Sequence, residues 1–199
     1  MKRSTALIFF FVLMGFGGLF YLVVAFGLYP VAIVNGSFIS SRLYSQEFHA
    51  TLMYYNQVLS EYETANGEEF DVKPDEFIYE LRKVVLDDLI EKRLISQLLE
   101  ELIGDNVESV VSEKIAAVDV SQETLPTALR SLYGLSLEDF TDLVLVPQAE
   151  REILESHLAL TVQNLDFNTW LRQSRQEASV RVISDSLFWD GERVEHKER

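Results

Sequence analysis

Three histidines are the first residues to test for acid–base or metal chemistry, and their spacing supports neither. His49, His157 and His196 lie far apart, none of them three or four residues from another, and there is no H-E-x-x-H segment. Glu47 stands two residues from His49 and Glu155 two from His157, an offset that places side chains on different faces of a helix. The carboxylate pairs Asp87-Asp88 and Glu100-Glu101 are adjacent in sequence, so on a helix they diverge and suit a solvated surface. There is no G-x-S-x-G elbow and no phosphate loop, and Gly15, Gly17 and Gly18 fall inside an apolar run where they cannot cradle a phosphate. The absence of cysteine excludes thiol catalysis, thiolate metal sites, disulfides and a lipidated cysteine. The expectation is a protein that is not an enzyme and holds no metal or cofactor.

What remains is chemistry by contact. Tyr44, Phe48, Leu52, Tyr55, Leu59 and Tyr62 recur at spacings of three or four and mark one face of a helix over 41–64. Tyrosine and phenylalanine supply large contact area at low entropic cost, which makes Tyr44, Tyr54, Tyr55, Tyr62 and Phe77 the expected peptide-binding residues. The same periodicity describes a helix packed on its neighbour, and for each ring taken alone that is the simpler expectation.

The elements that must position these rings are legible from punctuation. Val31 to Val34 is β-branched and ends in Asn35-Gly36, a hairpin signal, so residues 37–40 return as a second short strand. "ETANGEEFDV" reads as a polar loop. Pro74-Asp75-Glu76 then starts a long helix over 74–103, with a broad apolar face and Gly104 as its stop. Shorter helices are expected over 107–118 and 124–133, and another over 136–160. That last helix is capped by Ser136 with Asp139 three residues on, stapled by Leu135 against Phe140, and bent near 144–148 by Pro147. Asp166 caps a closing helix that carries Phe167, Trp170 and Leu171. After it, "SVRVI" and "LFWDGERVE" read as strands, the second broken at Asp190-Gly191. Strands this short do not stand alone, so those from residue 31 onward should pair with those near residue 180 and tie the two ends together. The fold class expected is mainly α, with short β-strands from both ends pairing.

Residues 5–29 are almost wholly apolar, and no charge occurs from Ser4 to Ser41. About 25 residues at a rise of 1.5 Å span a hydrocarbon core of roughly 30 Å, whereas a cleaved signal peptide has a shorter apolar part and a small-residue cleavage site. The run therefore reads as a single-pass anchor in the cell inner or plasma membrane. Lys2 and Arg3 keep residues 1–4 cytoplasmic, and the domain over 31–199, with its closing helix and strands at about 166–195, is extracytoplasmic. Formal net charge is −15. With no basic cluster beyond pairs such as Arg82-Lys83 and Lys92-Arg93, nucleic acid is not an expected partner.

The order of parts is itself informative. "VAIVNGSFIS", an amphipathic helix, "VLDDLIEKRLISQLLEELIG", "LPTALRSLYGLSLEDFTDLV" and "FNTWLRQSRQEASVRVI" together resemble the chaperone module of the SurA, PrsA and PpiD family of extracytoplasmic folding factors, over most of residues 31–184. Members of that family usually carry a parvulin prolyl isomerase domain before the closing helix. Here only residues 161–165 occupy that place, too few for a domain. The resemblance implies a SurA-N-like chaperone domain without the isomerase: a membrane-anchored holdase for unfolded or exported polypeptides. A tethered adaptor or structural subunit that docks one envelope or secretion partner is the alternative.

Overall fold

The computed structural model describes residues 14, 21, 23–67, 74–118, 120, 122–161 and 166–197. The anchor expected over 5–29 lies largely outside these residues, as do positions 1–4, most of the link 161–165 and 68–73 of the polar loop. Among the described residues no helix is long and apolar enough to cross a membrane, so the spanning helix has no support there.

The fold starts with a hairpin. β1 (Pro30–Val34) and β2 (Ser37–Ser40) are antiparallel, joined at Asn35 and Gly36, whose φ values of 48° and 86° are both positive as a type I′ turn requires. The Asn35 side chain does more than turn the chain. Its Oδ1 accepts from the Ser179 amide at 2.9 Å and its Nδ2 donates to Gln97 Oε1 at 3.0 Å, while Gln97 Nε2 donates to the Val34 carbonyl at 2.9 Å. One side chain thus joins the first turn, the approach to the last strands and the longest helix.

β3 (Val180–Val182) pairs antiparallel with β1, giving the order β2-β1-β3, so the two ends of the domain do meet as expected. β4 (Leu187–Trp189) and β5 (Val194–His196) are the two arms expected on either side of Asp190-Gly191, and they form a hairpin of their own that does not extend that sheet. Its turn is set by Asp190, whose Oδ1 accepts from the amides of Glu192 and Arg193, both at 2.8 Å.

The helical body comprises α1 (Ser41–Asn66), α2 (Pro74–Ile103), α3 (Val107–Ala116), α4 (Leu125–Tyr133), α5 (Leu137–Phe140), α6 (Val146–Thr161) and α7 (Phe167–Glu177). α2 is the spine. Leu81, Val85, Leu86, Leu89, Ile90 and Leu94 bury one side against Ala32, Val34 and Ile39 of the sheet and against Leu187 and Val194 of the hairpin. One turn further on, Ile95 and Leu99 bury against Leu154 and Leu158 of α6. Fully burying aliphatic side chains of this kind is worth about 1.5–3 kcal/mol each, so the spine holds both halves of the core.

The helix expected to bend at Pro147 is interrupted earlier. A π-helical turn, Thr141–Leu145, separates α5 from α6, and Pro147 falls in the first turn of α6, where its missing N–H costs little. In a continuous helix that N–H would bond the Leu143 carbonyl; here Lys92 Nζ on the spine approaches the same oxygen at 3.4 Å. The N-caps are as expected: Ser136 Oγ accepts from the Asp139 amide and Asp166 Oδ1 from the Thr169 amide, both at 3.0 Å.

Candidate functional site

The expected aromatic residues divide in two along α1. Tyr44 packs against the main core and its hydroxyl donates to the Arg82 carbonyl at 3.2 Å. Burial raises the Tyr44 hydroxyl above the ordinary tyrosine range, with the Arg82 charge pulling the other way. Phe48, stacked on Tyr44 at 6.4 Å, and Leu52 pack on the same core. Beyond Leu52 none of the buried clusters takes a contribution from α1, and Met53, Tyr54, Tyr55, Val58 and Tyr62 are each 40–45 % exposed.

Exposed Tyr54 and Tyr55 are ordered by half-buried rings beside them. Phe77, which also packs on the core, meets Tyr55 edge-on at 5.7 Å; Tyr55 meets Tyr54 at 6.0 Å; Tyr54 stacks on Tyr133 of α4 at 5.2 Å with the rings 5° from parallel; Tyr133 touches Phe140 of α5 at 5.9 Å. Five rings from four helices therefore form one continuous array across α1. The offset-stacked and edge-to-face spacings are those that aromatic pairs prefer, so the rings are held before any ligand arrives. Of the expected set, Tyr54, Tyr55 and Phe77 belong to this array. Tyr44 serves the core, and Tyr62 lies further along α1.

Tyr133 was not expected in the site, and what admits it is the residue that follows. Gly134 has φ +69°, and a Cβ built on it would lie 2.5 Å from Met53 Sδ. The α4–α5 corner thus presses directly onto α1. Gly134→Ala is expected to cost roughly 1–2 kcal/mol from left-handed backbone strain, lowering Tm by about 2–8 °C. Adding Met53→Ala should remove the steric part and leave the backbone part, which thermal melts of the two variants separate.

Beside the array lies a cleft of ≈ 400 Å³ lined by His49, Ala50, Met53, Tyr133, Leu135 and residues 25–27. A larger cleft, ≈ 650 Å³, opens between the end of α2, α3 and α6, with Val107, Val111 and Ile115 on its floor and Glu100, Glu108 and Glu150 at its sides. Compared with known protein families, curated proteins and solved structures, the chain matches none. The reading of the site therefore rests on its own residues. Among the described residues no group of three or more His, Asp or Glu is placed to hold a metal. His49 sits edge-on to Phe48 at 5.9 Å and His196 stacks on Tyr79 at 3.5 Å, so these two histidines are ring-packing partners.

Proposed function

We propose that this chain is a membrane-tethered, extracytoplasmic holdase of the SurA type, lacking an isomerase, which binds apolar segments of non-native exported polypeptides. The observation that carries the reading is the five-ring array, in which exposed Tyr54 and Tyr55 on α1 are ordered by half-buried Phe77, Tyr133 and Phe140. Such a surface gives affinity in proportion to apolar area buried, with little demand on client sequence, and loses little side-chain entropy on binding. The acidic residues Glu61, Asp75 and Glu76 flank its members in sequence, which disfavours acidic clients and favours apolar segments with basic flanks. A tether holds the surface near emerging chains, so that weak, quickly reversed contacts suffice.

The test is light scattering from two unrelated aggregating proteins, with the full chain in nanodiscs at increasing ratio and empty nanodiscs as reference. Suppression of both at near-stoichiometric ratio is the expected result. No suppression of either by a folded protein removes the holdase reading in favour of an adaptor with a single dedicated partner.

A further inference from the structure

The sheet buries one face and leaves the other uncovered. Direct cross-strand partners point to the same side, so the pairings of Ile33 with Phe38 and of Ile33 with Arg181 put these three residues together on the face opposite buried Ala32, Val34 and Ile39. Phe38 is 63 % exposed, and Ile183, which continues β3's alternation and donates to the Val31 carbonyl, is 47 % exposed. The outer face is apolar with one cation, and the three strands contain no acid. That absence is notable in a chain with 32 acidic residues, all of which fall after position 46.

This face is joined to the apolar run without a flexible linker. The Arg42 amide donates to the Gly27 carbonyl and the Ser41 amide to the Tyr29 carbonyl, both at 2.9 Å, so the chain is hydrogen-bonded to the start of α1 where it leaves the run. Phe26, Leu28 and Tyr29 are exposed at this exit. At 3.3 Å per residue, the Ile33–Phe38 pair lies about 10 Å from Pro30. The headgroup layer on each side of a bilayer is roughly 5–7 Å thick, so a strand tilt of about 45° or more from the membrane normal brings Phe38 into it. Aromatic and long basic side chains are the ones that settle at that depth, and strands that carry no acid add no repulsion from anionic lipid of their own, the nearest acid after β3 being exposed Asp185.

We propose that the outer face of the three-stranded sheet, through Phe38, Ile183 and Arg181, docks on the bilayer surface beside the anchor and fixes the domain's orientation, with α1 pointing away. This rests on the membrane-anchor reading above. The 13 residues that separate Tyr54 from Ser41 along α1 then carry the aromatic array outward by about 20 Å, into the space where clients arrive.

Because the chain has no cysteine, single-cysteine variants report cleanly. Tyr21→Cys in the run, Phe38→Cys and Ile183→Cys on the sheet face and Glu61→Cys on α1 are each labelled with an environment-sensitive fluorophore. The labelled full chain is reconstituted in phosphatidylcholine–phosphatidylglycerol vesicles containing nitroxide-labelled lipid. The expected result is strong quenching at 21, at least half as much at 38 and 183, and none at 61. Quenching at 21 alone overturns the docking while leaving the anchor intact. Quenching at none of the four positions removes the anchor and the docking together. A probe at 38 that is shielded from water yet unquenched by lipid shows the face covered by protein, which also overturns the proposal.

Discussion

Replacing Arg175 with alanine is expected to destabilise the protein by about 3 kcal/mol, the cost of leaving two half-buried carboxylates without a partner. For a chain of this size that lowers Tm by roughly 6–12 °C. The Arg175 side chain, 11 % exposed, forks between Asp87 Oδ2 and Glu91 Oε2 on the spine, and its Nε donates to the Glu192 carbonyl in the β4–β5 turn. Its guanidinium also lies 5.4 Å from the centre of the Trp189 ring. Asp87 in turn accepts from the Val194 amide at 2.8 Å, and Glu91 is shared with Arg151 of α6 at 2.8 Å. α7, the second hairpin and the spine therefore meet at one guanidinium, and α6 joins them through Glu91. Arg175→Lys keeps the charge and loses the planar fork, so it should fall between wild type and alanine. Urea and thermal unfolding measure both. An alanine variant that melts within about 2 °C of wild type would show the network to be worth no more than a surface pair.

The sequence made helix ends legible wherever a cap has a local chemical signature. Ser136 and Asp166 bond amides three residues ahead, and Pro74 can only begin a helix. The meeting of the two ends at β1 and β3 was legible too, because strands so short have no other means of satisfying their backbone. Features set by partners distant in sequence were not. The Arg175 clamp joins residues 84 and 88 positions apart, and at the level of sequence Arg175 is one charge among many on an amphipathic helix. The approach of Lys92 to the Leu143 carbonyl beside the π-helical turn joins residues 51 positions apart, and no local pattern encodes that.

The division of the aromatic stripe shows the same limit in another form. Period 3.6 identifies the face of α1, but it carries no information on how far the opposing helix extends. α2 begins at Pro74, and its Phe77 meets α1 at Tyr55. Residues of α1 before that crossing, such as Tyr44 and Phe48, have core beneath them, whereas the same stripe continues past it as Tyr62 on an exposed stretch. One repeating pattern therefore gives core at one end of the helix and an exposed surface at the other. Tyr133 enters the array only because Gly134 allows α4 to approach Met53.

Tyr54→Ser combined with Tyr55→Ser is expected to weaken client binding at least tenfold and to raise the ratio needed for aggregation suppression by a similar factor. A tyrosine buries 150–250 Å² when fully covered, and these two are 40 % and 42 % exposed in the free protein. Covering that remainder at about 25 cal/mol per Å² gives roughly 2 kcal/mol per ring as an upper value. Allowing for incomplete coverage by a loosely bound client, the pair still loses more than the 1.4 kcal/mol that corresponds to a factor of about ten. Tyr54→Phe with Tyr55→Phe keeps the faces and should bind almost as wild type, because in this scheme the hydroxyls carry none of the affinity. Tyr44→Phe should leave binding unchanged while removing a hydrogen bond worth about 1 kcal/mol of stability, since its ring belongs to the core. The serine pair also loses the stack on Tyr133, a destabilisation of about 1 kcal/mol, so binding is measured well below its melting temperature. If the serine pair suppresses aggregation as well as wild type, clients bind elsewhere. The ≈ 650 Å³ cleft walled by Glu100, Glu108 and Glu150 would then be the next surface to substitute, with a preference for basic segments that the aromatic array does not require.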